Sequence, residues 1–342
     1  MNKKYENYLS YPIGLLVAFF VFSVVLLLLG YDPIASLASI PDGAFGTPLR
    51  ASETLIRFIP LLLTSLAFSI ALKARFLNIG IEGQLYIGAL MAYLVGAQLG
   101  GIFGIVSIPI IMTAGFMGGV LWLALPLFMK IKLEINEIFP TVVMNFIAIL
   151  IIAWLTSGPL KKEGSNNPVT SNLPESTWFP EIFPDPVLRL HVGLFLVILL
   201  AFLVYIILFK TTLGYRIRAV GQNPRAAKHG GINVTQSVIA AGLLSGGIAG
   251  LAGMMEVFGI HHFLTAGFSP GFGFQGIAVA ALGNFHPIGI IFSSFFFAVL
   301  QIGGESMQRS VGVPVDMIII LQAVLVLSVL IVQKWITVRK LT

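Results

Sequence analysis

The stretch Val192–Phe209, VGLFLVILLAFLVYIILF, contains 18 consecutive residues without a charged side chain. A helix needs roughly 20 apolar residues to cross a lipid bilayer, so this stretch is close to one full crossing. Ile13–Leu29 is a second charge-free run, of 17 residues. The chain of 342 residues is 57% hydrophobic and 10% charged, whereas a soluble domain has roughly 25% charged residues. The sequence therefore predicts an all-α fold, a polytopic bundle of transmembrane helices.

The segment that follows this apolar run is strongly basic. Leu213–Val234, LGYRIRAVGQNPRAAKHGGINV, concentrates arginine and lysine in a chain with few charges elsewhere. Within it, Asn223 has the position of a helix N-cap, Pro224 that of the first helical residue, and Gly230–Gly231 that of a stop. A short, basic, capped helix between two membrane spans is typical of a docking element, so we expect a soluble partner to drive this protein. The residues assigned to the docking element are Arg216, Arg218, Asn223, Pro224, Arg225, Lys228 and Gly231.

The basic residues are spread unevenly between the two sides of the predicted bundle. On a topology of ten crossings, 14 of the 20 lysines and arginines fall on the side that holds both termini. The positive-inside rule assigns that side to the cytoplasm. We therefore expect one transmembrane domain, residues 1–342, in the cell (plasma) membrane. Both termini and the loop 210–234 are predicted to be cytoplasmic, and the polar loop 157–191 external. The same bias explains the basic pI without nucleic acid binding.

About ten crossings are predicted along the chain. Tyr31–Ser52 contains several prolines and glycines and is predicted to be an external loop. Phe274–Leu282 is too short for a straight crossing, so it is counted as a crossing by a broken helix. Eight crossings with re-entrant pieces are the alternative. The other segments are Ile13–Leu29, Leu55–Leu72, Asn78–Leu99, Ile102–Met129, Ile138–Thr156, Val192–Phe209, Thr235–Phe258, Pro287–Ile302 and Met317–Val332.

Two stretches of the chain resemble each other. Gly80–Leu90 reads GIEGQLYIGAL and Gly273–Leu282 reads GFQGIAVAAL. The first follows a predicted inside loop and the second a predicted outside loop, so the two would run in opposite directions through the membrane. Many transporters place an inverted repeat of this kind, with broken helices, around a central binding site. A chance match is the alternative.

Several polar residues lie within the predicted spans. Glu82 lies roughly 10 Å inward of the basic pair Lys73 and Arg75, at 1.5 Å per residue. An ionisable residue at that depth is costly unless it faces a polar cavity or has a partner. These side chains either line a polar pathway for a substrate or form a hydrogen-bond cluster that holds helices together. The candidate pathway residues are Asn78, Glu82, Gln84, Asn145, Glu256, Gln275 and Asn284.

Some kinds of chemistry are excluded by what the sequence lacks. There is no cysteine, which excludes thiol catalysis and cysteine metal sites. The dipeptide Gly-Lys does not occur, so the chain has no phosphate-binding loop of the Gly-x-x-x-x-Gly-Lys type for ATP. We therefore expect a transport subunit rather than an enzyme, with no bound cofactor or metal and with ATP bound by a separate chain.

Four stretches, in order, resemble one family. Arg75–Gln84, RFLNIGIEGQ, resembles the FNIGxEGQ motif of ABC-transporter permeases of the sugar, nucleoside and branched-chain amino acid class. Glu137–Asn145, EIFPTVVMN, is similar to that family's EVISTLMLN stretch and departs from it at the third and fourth residues. Gly214–Ile232 looks like the cytoplasmic loop that contacts the ATPase. Phe272–Asn284, FGFQGIAVAALGN, resembles YGFDGIAVALLG, with a glutamine where aspartate is common.

The resemblance implies a fold, partners and a substrate class. The long section before Phe76 looks most like the larger of two paired permeases in bacterial nucleoside importers. The implied partners are a cytosolic ABC ATPase, a second homologous permease, an extracytoplasmic substrate-binding lipoprotein and membrane lipids. Import of nucleosides is the expected function. A permease for ribose-like sugars and an ion-coupled secondary transporter are the alternatives.

Overall fold

The computed structural model describes residues 3–103, 106–183, 185 and 187–338. Within these ranges the chain forms α-helices joined by loops, and no extended strand occurs. One 3-10 turn, Glu175–Thr177, interrupts the loop before α7. The helices are α1 (Lys3–Leu28), α2 (Pro33–Phe45), α3 (Pro48–Leu72), α4 (Ile81–Phe103), α5 (Ser107–Leu133), α6 (Ile138–Ser157), α7 (Gly193–Lys210), α8 (Thr212–Gln222), α9 (Pro224–His229), α10 (Val234–Glu256), α11 (Phe272–Leu282), α12 (Pro287–Val311) and α13 (Asp316–Val338).

Eight helices of the described chain are long and apolar enough to cross a membrane: α1, α3, α5, α6, α7, α10, α12 and α13. The predicted class, an all-α polytopic bundle, is thereby confirmed. Two further helices coincide with predicted crossings without meeting both criteria. These are α4, which contains Glu82 and Gln84, and α11, which has only 11 residues. The count of ten crossings stays a prediction.

Contacts between helices divide the chain into two compact units. The first comprises residues 1–58 and 292–342, and in it α1 packs along α13. The second comprises Ile59–Ile291 and contains most of the candidate site residues and the docking element. A single domain over the whole chain stays a prediction.

The prediction of a loop at Tyr31–Ser52 is wrong. Most of this segment is helical, in α2 and the start of α3. Asp32 caps α2, because its side chain accepts hydrogen bonds from the backbone N–H groups of Ile34 at 2.8 Å and Ala35 at 3.2 Å. Pro33 follows as the first helical residue, where a proline has no intrahelical bond to lose. Asp-Pro therefore starts a helix here, which an interpretation of proline only as a loop residue does not predict.

The core of the second unit is formed by α4, α5 and α10, which pack closely on one another. Small residues make this possible: a Cβ added to Gly119 of α5 would lie only 2.8 Å from the backbone N of Gly250 in α10. Close approach through small residues is a common way for helices to associate in membranes. Residues 81–90 of α4 are all buried. Because protein surrounds this part of α4, the helix can carry polar side chains that lipid would exclude.

The loop 157–191 is largely irregular, as predicted, and its described residues pack against the turn after α10. The backbone N–H of Leu173 donates to the carbonyl of His262 at 2.8 Å, and the rings of Trp178 and His262 stack with centroids 3.7 Å apart. His191, at the end of the loop, is 1% exposed. Burial, with a further contribution from the nearby His262, lowers the pKa of His191 to about 4.

We expect this loop to make the protein less stable in mild acid. An unfolded histidine protonates below about pH 6.5, whereas folded His191 stays neutral down to about pH 4. Stability is therefore lost as the pH falls from about 6.5 toward 4, by about 2 kcal/mol at pH 5. Melting curves in detergent at pH 7.5 and 5.0 test this. His191→Gln should reduce the acid loss, and His229→Gln, which alters an exposed side chain, should not. Equal acid losses in all three proteins would contradict the assignment.

Candidate functional site

The first turns of two helices of the second unit, α4 and α11, lie next to the side chain of Glu82. Glu82 lies in the first turn of α4, and its Oε2 accepts a hydrogen bond of 2.6 Å from the backbone N–H of Gly273, in the first turn of α11. The Ser269 side chain and the Gly271 backbone also donate to this carboxylate. A carboxylate at a helix N-terminus is stabilised by the unpaired N–H groups and the helix dipole. Glu82 therefore caps α11 from another helix.

The two helix starts are in backbone contact. A Cβ added to Gly273 would lie 2.7 Å from the Cα of Glu82, so only glycine fits at this position without a shift of one helix. The contact joins the two stretches that resemble each other in sequence, because Ile81 begins α4 and Phe272 begins α11. Helices whose N-termini meet inside a protein are typical of broken-helix sites in transporters.

A cluster of buried amides supports the backbone before α4. Asn78 and Gln84 exchange two hydrogen bonds, of 2.9 and 2.8 Å, and Asn78 also donates to Ser245 Oγ of α10 at 2.9 Å. Asn145 of α6 accepts from the N–H of Gly83 at 2.7 Å and donates to the carbonyl of Ile79 at 2.9 Å. These side chains thus form their hydrogen bonds within the protein, as buried polar groups usually do.

The structure brings together four of the seven candidate pathway residues, namely Asn78, Glu82, Gln84 and Asn145, each at most 1% exposed. The other three lie in different surroundings. Glu256 is buried at the end of α10, with its Oε2 3.7 Å from His261 Nε2. Gln275 is half-buried in α11 and donates to the carbonyl of Pro270 at 3.1 Å. Asn284 is exposed in the turn after α11, with a φ of 52°. Their role in a pathway stays a prediction.

The docking element consists of two helices, α8 and α9. The predicted start of α9 is confirmed: Asn223 Oδ1 accepts from the N–H groups of Arg225 at 3.0 Å and Ala226 at 3.1 Å, and Pro224 is the first helical residue. The predicted stop is also confirmed, because α9 ends before Gly230 and Gly231 has a φ of +80°. The helix α8 was not predicted; Thr211 caps it by accepting from the N–H of Gly214 at 3.2 Å.

The cations of the docking element have two environments. Arg216, Arg225 and Lys228 are exposed, so they are available to a partner of opposite charge. Arg218 is half-buried, and its guanidinium carbon lies 5.0 Å from the centre of the Phe209 ring. This distance is within the range of a cation–π interaction. Arg218 therefore contacts the end of α7 instead of extending into solvent.

Hydrogen bonds connect the docking element to the segment that precedes α4. Arg75 donates from Nε to the carbonyl of Gly221 at 2.9 Å and from a terminal nitrogen to that of Gln222 at 3.2 Å. Lys130 donates to the carbonyl of Arg75 at 3.2 Å and forms an ion pair with Glu137. A displacement of α8 would therefore pull on the backbone at Arg75, seven residues before Glu82.

Glu137 completes this connection at the start of α6. Its Oε1 accepts from the N–H of Leu77 at 3.1 Å as well as from Lys130. Burial opposes ionisation of the carboxyl, but the hydrogen bond from Lys130, supported by that from Leu77, outweighs burial and holds the pKa of Glu137 below its usual value. The ion pair is therefore intact at neutral pH.

Sequence reasoning missed several of these residues. Arg75 is identifiable from the sequence only as a charge near a membrane edge, and nothing in its spacing from Lys130 indicates that the two residues meet. Ser269 had a usable signal: it lies three residues before α11, and its Oγ accepts from the N–H groups of Gly271 and Phe272, both at 3.2 Å. A serine in the turn before a helix often accepts hydrogen bonds from backbone N–H groups one to three residues on.

The chain is similar to known transport proteins over most of its length. Residues 50–331 match the family described as branched-chain amino acid transport system / permease component. The glucose ABC transporter permease protein TsgB13 of Haloferax volcanii is 30% identical over 91% of this chain and 84% of its own. The guanosine ABC transporter permease protein NupP of Bacillus subtilis is 30% identical over 96% and 94%. NupQ, named as another guanosine permease of Bacillus subtilis, is 30% identical over 72% and 79%. No solved structure gives a significant match.

The matched region includes the two helix starts at Glu82 and the docking element. The relatives are transport subunits and not enzymes, and the eight long apolar helices of the described chain make it a multi-pass membrane protein. The chain therefore belongs to the family of branched-chain amino acid transport system permease components, and it is an ABC-transporter permease.

Proposed function

We propose that this permease imports a nucleoside across the bacterial cell membrane as one subunit of an ABC importer. The observation that supports the substrate class most strongly is the similarity to NupP, which extends over 96% of this chain and 94% of NupP. A nucleoside is polar and uncharged, so its transport calls for hydrogen-bonding groups rather than counter-charges. The buried amides of Asn78, Gln84 and Asn145 are groups of this kind.

ATP is hydrolysed by a separate cytosolic ATPase that binds the docking element. Three exposed cations and a rigid, capped α9 support this assignment. Binding and hydrolysis of ATP change the shape of the ATPase, and the bonds of Arg75 offer a path by which a displacement reaches the start of α4. The partner shifts the populations of inward-open and outward-open states because its affinity for the two differs.

In the conformation described here, the four clustered polar side chains are bonded to one another and to backbone. We place them at a closed gate, which opens when the first turns of α4 and α11 separate. Glu256, Gln275 and Asn284 would contact the substrate elsewhere along the pathway. Both termini are assigned to the cytoplasm, and a substrate-binding lipoprotein would deliver the nucleoside on the opposite side.

A second permease is proposed to pair with this chain in a heterodimer. Bacillus subtilis has two different proteins named as guanosine permeases, NupP and NupQ, and this chain is similar to both. The chain aligns with nearly all of NupP but with 79% of NupQ. Because it covers a larger share of NupP, we assign this chain to the position of NupP in the pair.

Import of a simple sugar is the second candidate. It is favoured by the similarity to TsgB13, whose name assigns glucose. The identity is 30%, the same as for NupP, so identity alone does not separate the two substrates.

Competitive uptake separates these substrates. A strain that lacks its own nucleoside and sugar importers would express this chain with its partner subunits and take up labelled guanosine. We expect unlabelled nucleosides to compete and glucose and ribose not to compete. Labelled glucose or ribose uptake that guanosine does not inhibit would contradict the proposal. In proteoliposomes, uptake should require ATP and no ion gradient. Uptake that a protonophore abolishes and that needs no ATP would instead indicate an ion-coupled transporter.

A further inference from the structure

A cavity of about 430 Å³ lies where α3, α7 and α8 end, and it contains cations without a matching carboxylate. Lys73 and Arg218 line it. The Nε atom of Arg218 is buried and has no hydrogen-bond partner in the described chain, although most buried polar groups have one. Among the described residues, no Asp or Glu lines this cavity. Lys73 and Arg218 are both half-buried, and a cation that is partly removed from water without a counter-charge is costly, so the cavity has the chemistry of an anion site.

The charges that shift pKa values around this cavity are positive and supply no counter-charge. Burial, and then repulsion from Arg218, lowers the pKa of Lys73. His286 is close enough to Lys73 for the charge to lower its pKa in addition to burial. The backbone carbonyls of Gly221 and Gln222, at the cavity wall, accept hydrogen bonds from Arg75. They are thus already bonded to a cation outside the cavity lining.

The rest of the wall is apolar and continues into membrane spans. Leu72 ends α3, and Phe209 lies one residue before the end of α7; both helices are long and apolar enough to cross a membrane. Phe285 is the third apolar residue of the lining. The cavity therefore lies at the ends of membrane-spanning helices, and its lining combines cations with apolar side chains. That combination fits an amphiphile better than a free inorganic ion.

We infer that this cavity binds the headgroup of an anionic phospholipid, whose phosphate is held between Lys73 and Arg218. Basic pockets between transmembrane helices bind anionic lipid headgroups in this way. The glycerol and the first carbons of the acyl chains would lie against Leu72, Phe209 and Phe285. A lipid bound there bridges the end of α3 to α8 and so steadies the docking element. The inference does not depend on which substrate is transported.

The test uses the full-length chain, purified and placed in nanodiscs of phosphatidylcholine with increasing phosphatidylglycerol. Retained phosphatidylglycerol is counted by native mass spectrometry, and the melting temperature is recorded in parallel. We expect Lys73→Gln with Arg218→Gln to weaken phosphatidylglycerol binding at least about tenfold. The matched control, Lys132→Gln with Lys210→Gln, removes two exposed cations outside the cavity and should change binding less than threefold. Equal losses in the two double variants would overturn the inference.

A second variant keeps the test decisive if the first does not fold. Gln222→Glu places a carboxylate beside the two cations, so it should displace the lipid while raising the melting temperature in pure phosphatidylcholine. An unchanged affinity for phosphatidylglycerol in this variant would contradict the inference.

Free anions and protein partners are distinguished by two further measurements. Inorganic phosphate should leave the melting temperature unchanged, and stabilisation by phosphate as large as that by phosphatidylglycerol would identify a free-anion site instead. The purified ATPase should bind the Lys73→Gln single variant, which leaves the docking element unaltered, in pure phosphatidylcholine as well as it binds the unmodified chain. A loss of ATPase binding there, with no lipid present to explain it, would assign the cavity to the protein partner and overturn the inference.

Discussion

Charge reversal on α9, by Arg225→Glu with Lys228→Glu, is expected to lower ATP-dependent uptake at least about 100-fold. Both side chains are exposed, and like-charge contacts at an interface cost several kcal/mol. The helix itself should survive, because its start depends on Asn223 and Pro224, which are unchanged. Stability should change by less than about 1 kcal/mol, because a carboxylate is favourable at position 225, near the N-terminus of α9, and unfavourable at position 228, near its C-terminus. Uptake and the ATPase activity of the assembled transporter measure the effect.

The control for this variant is Lys161→Glu with Lys162→Glu. It reverses the same amount of charge at two exposed positions in the loop 157–191, which is assigned to the opposite side of the membrane. Insertion, abundance and melting temperature should be similar for both double variants, and only the α9 variant should lose uptake. If the α9 variant transports normally and its partner ATPase is still stimulated, the docking assignment is wrong.

Substitution of Glu82 is expected to have the second large effect. Glu82→Gln keeps the size of the side chain but replaces the carboxylate with an amide, which is a poorer acceptor for the donors at the start of α11. Hydrogen bonds to a charged group contribute about 1.5–3 kcal/mol each, so we expect a loss of about 3 kcal/mol and a fall in uptake of at least about tenfold. Glu134→Gln, at an exposed carboxylate after α5, should change neither quantity.

Gly273→Ala provides the partner of a double-mutant cycle. Its Cβ would press on Glu82, so the variant separates the same two helix starts. If both substitutions disrupt the same contact, the double variant should lose less stability than the sum of the two single losses. This comparison also distinguishes the two interpretations that the sequence left open, namely a polar pathway for substrate and a hydrogen-bond cluster that holds helices together. A Glu82→Gln variant that keeps its melting temperature and loses only uptake would contradict the capping role and favour a direct contact with substrate.

Local features of the fold were readable from the sequence because they depend on neighbouring residues. The apolar run Val192–Phe209 is found as α7, and the order Asn-Pro followed by two glycines bounds α9. The loop prediction for Tyr31–Ser52 was wrong because prolines and glycines farther along the segment are typical of a loop, whereas the pair Asp32 and Pro33 starts a helix. The sequence does contain the Asp-Pro pair that indicates this helix start.

The tertiary arrangement of the site was not readable in this way. Glu82 and Gly273 are 191 residues apart, and no local pattern indicates that the first turns of their helices meet. Arg75 was recognised as a charge at a membrane edge, but its bonds to Gly221 and Gln222 require the fold of the whole second unit. Polar residues inside spans could be identified because they are costly there, whereas their partners could not.

The side of the membrane on which α9 lies tests the account most directly. The chain contains no cysteine, so a single cysteine can be labelled without a background signal. Ala226→Cys adds a thiol at an exposed position of α9, and Asn166→Cys adds one at an exposed position of the loop 157–191. With a membrane-impermeant maleimide, we expect Cys labelling of the Asn166 variant in intact spheroplasts and of the Ala226 variant only in inverted vesicles. Labelling of the Ala226 variant from outside intact cells would mean that no cytosolic ATPase can reach α9, which contradicts the account.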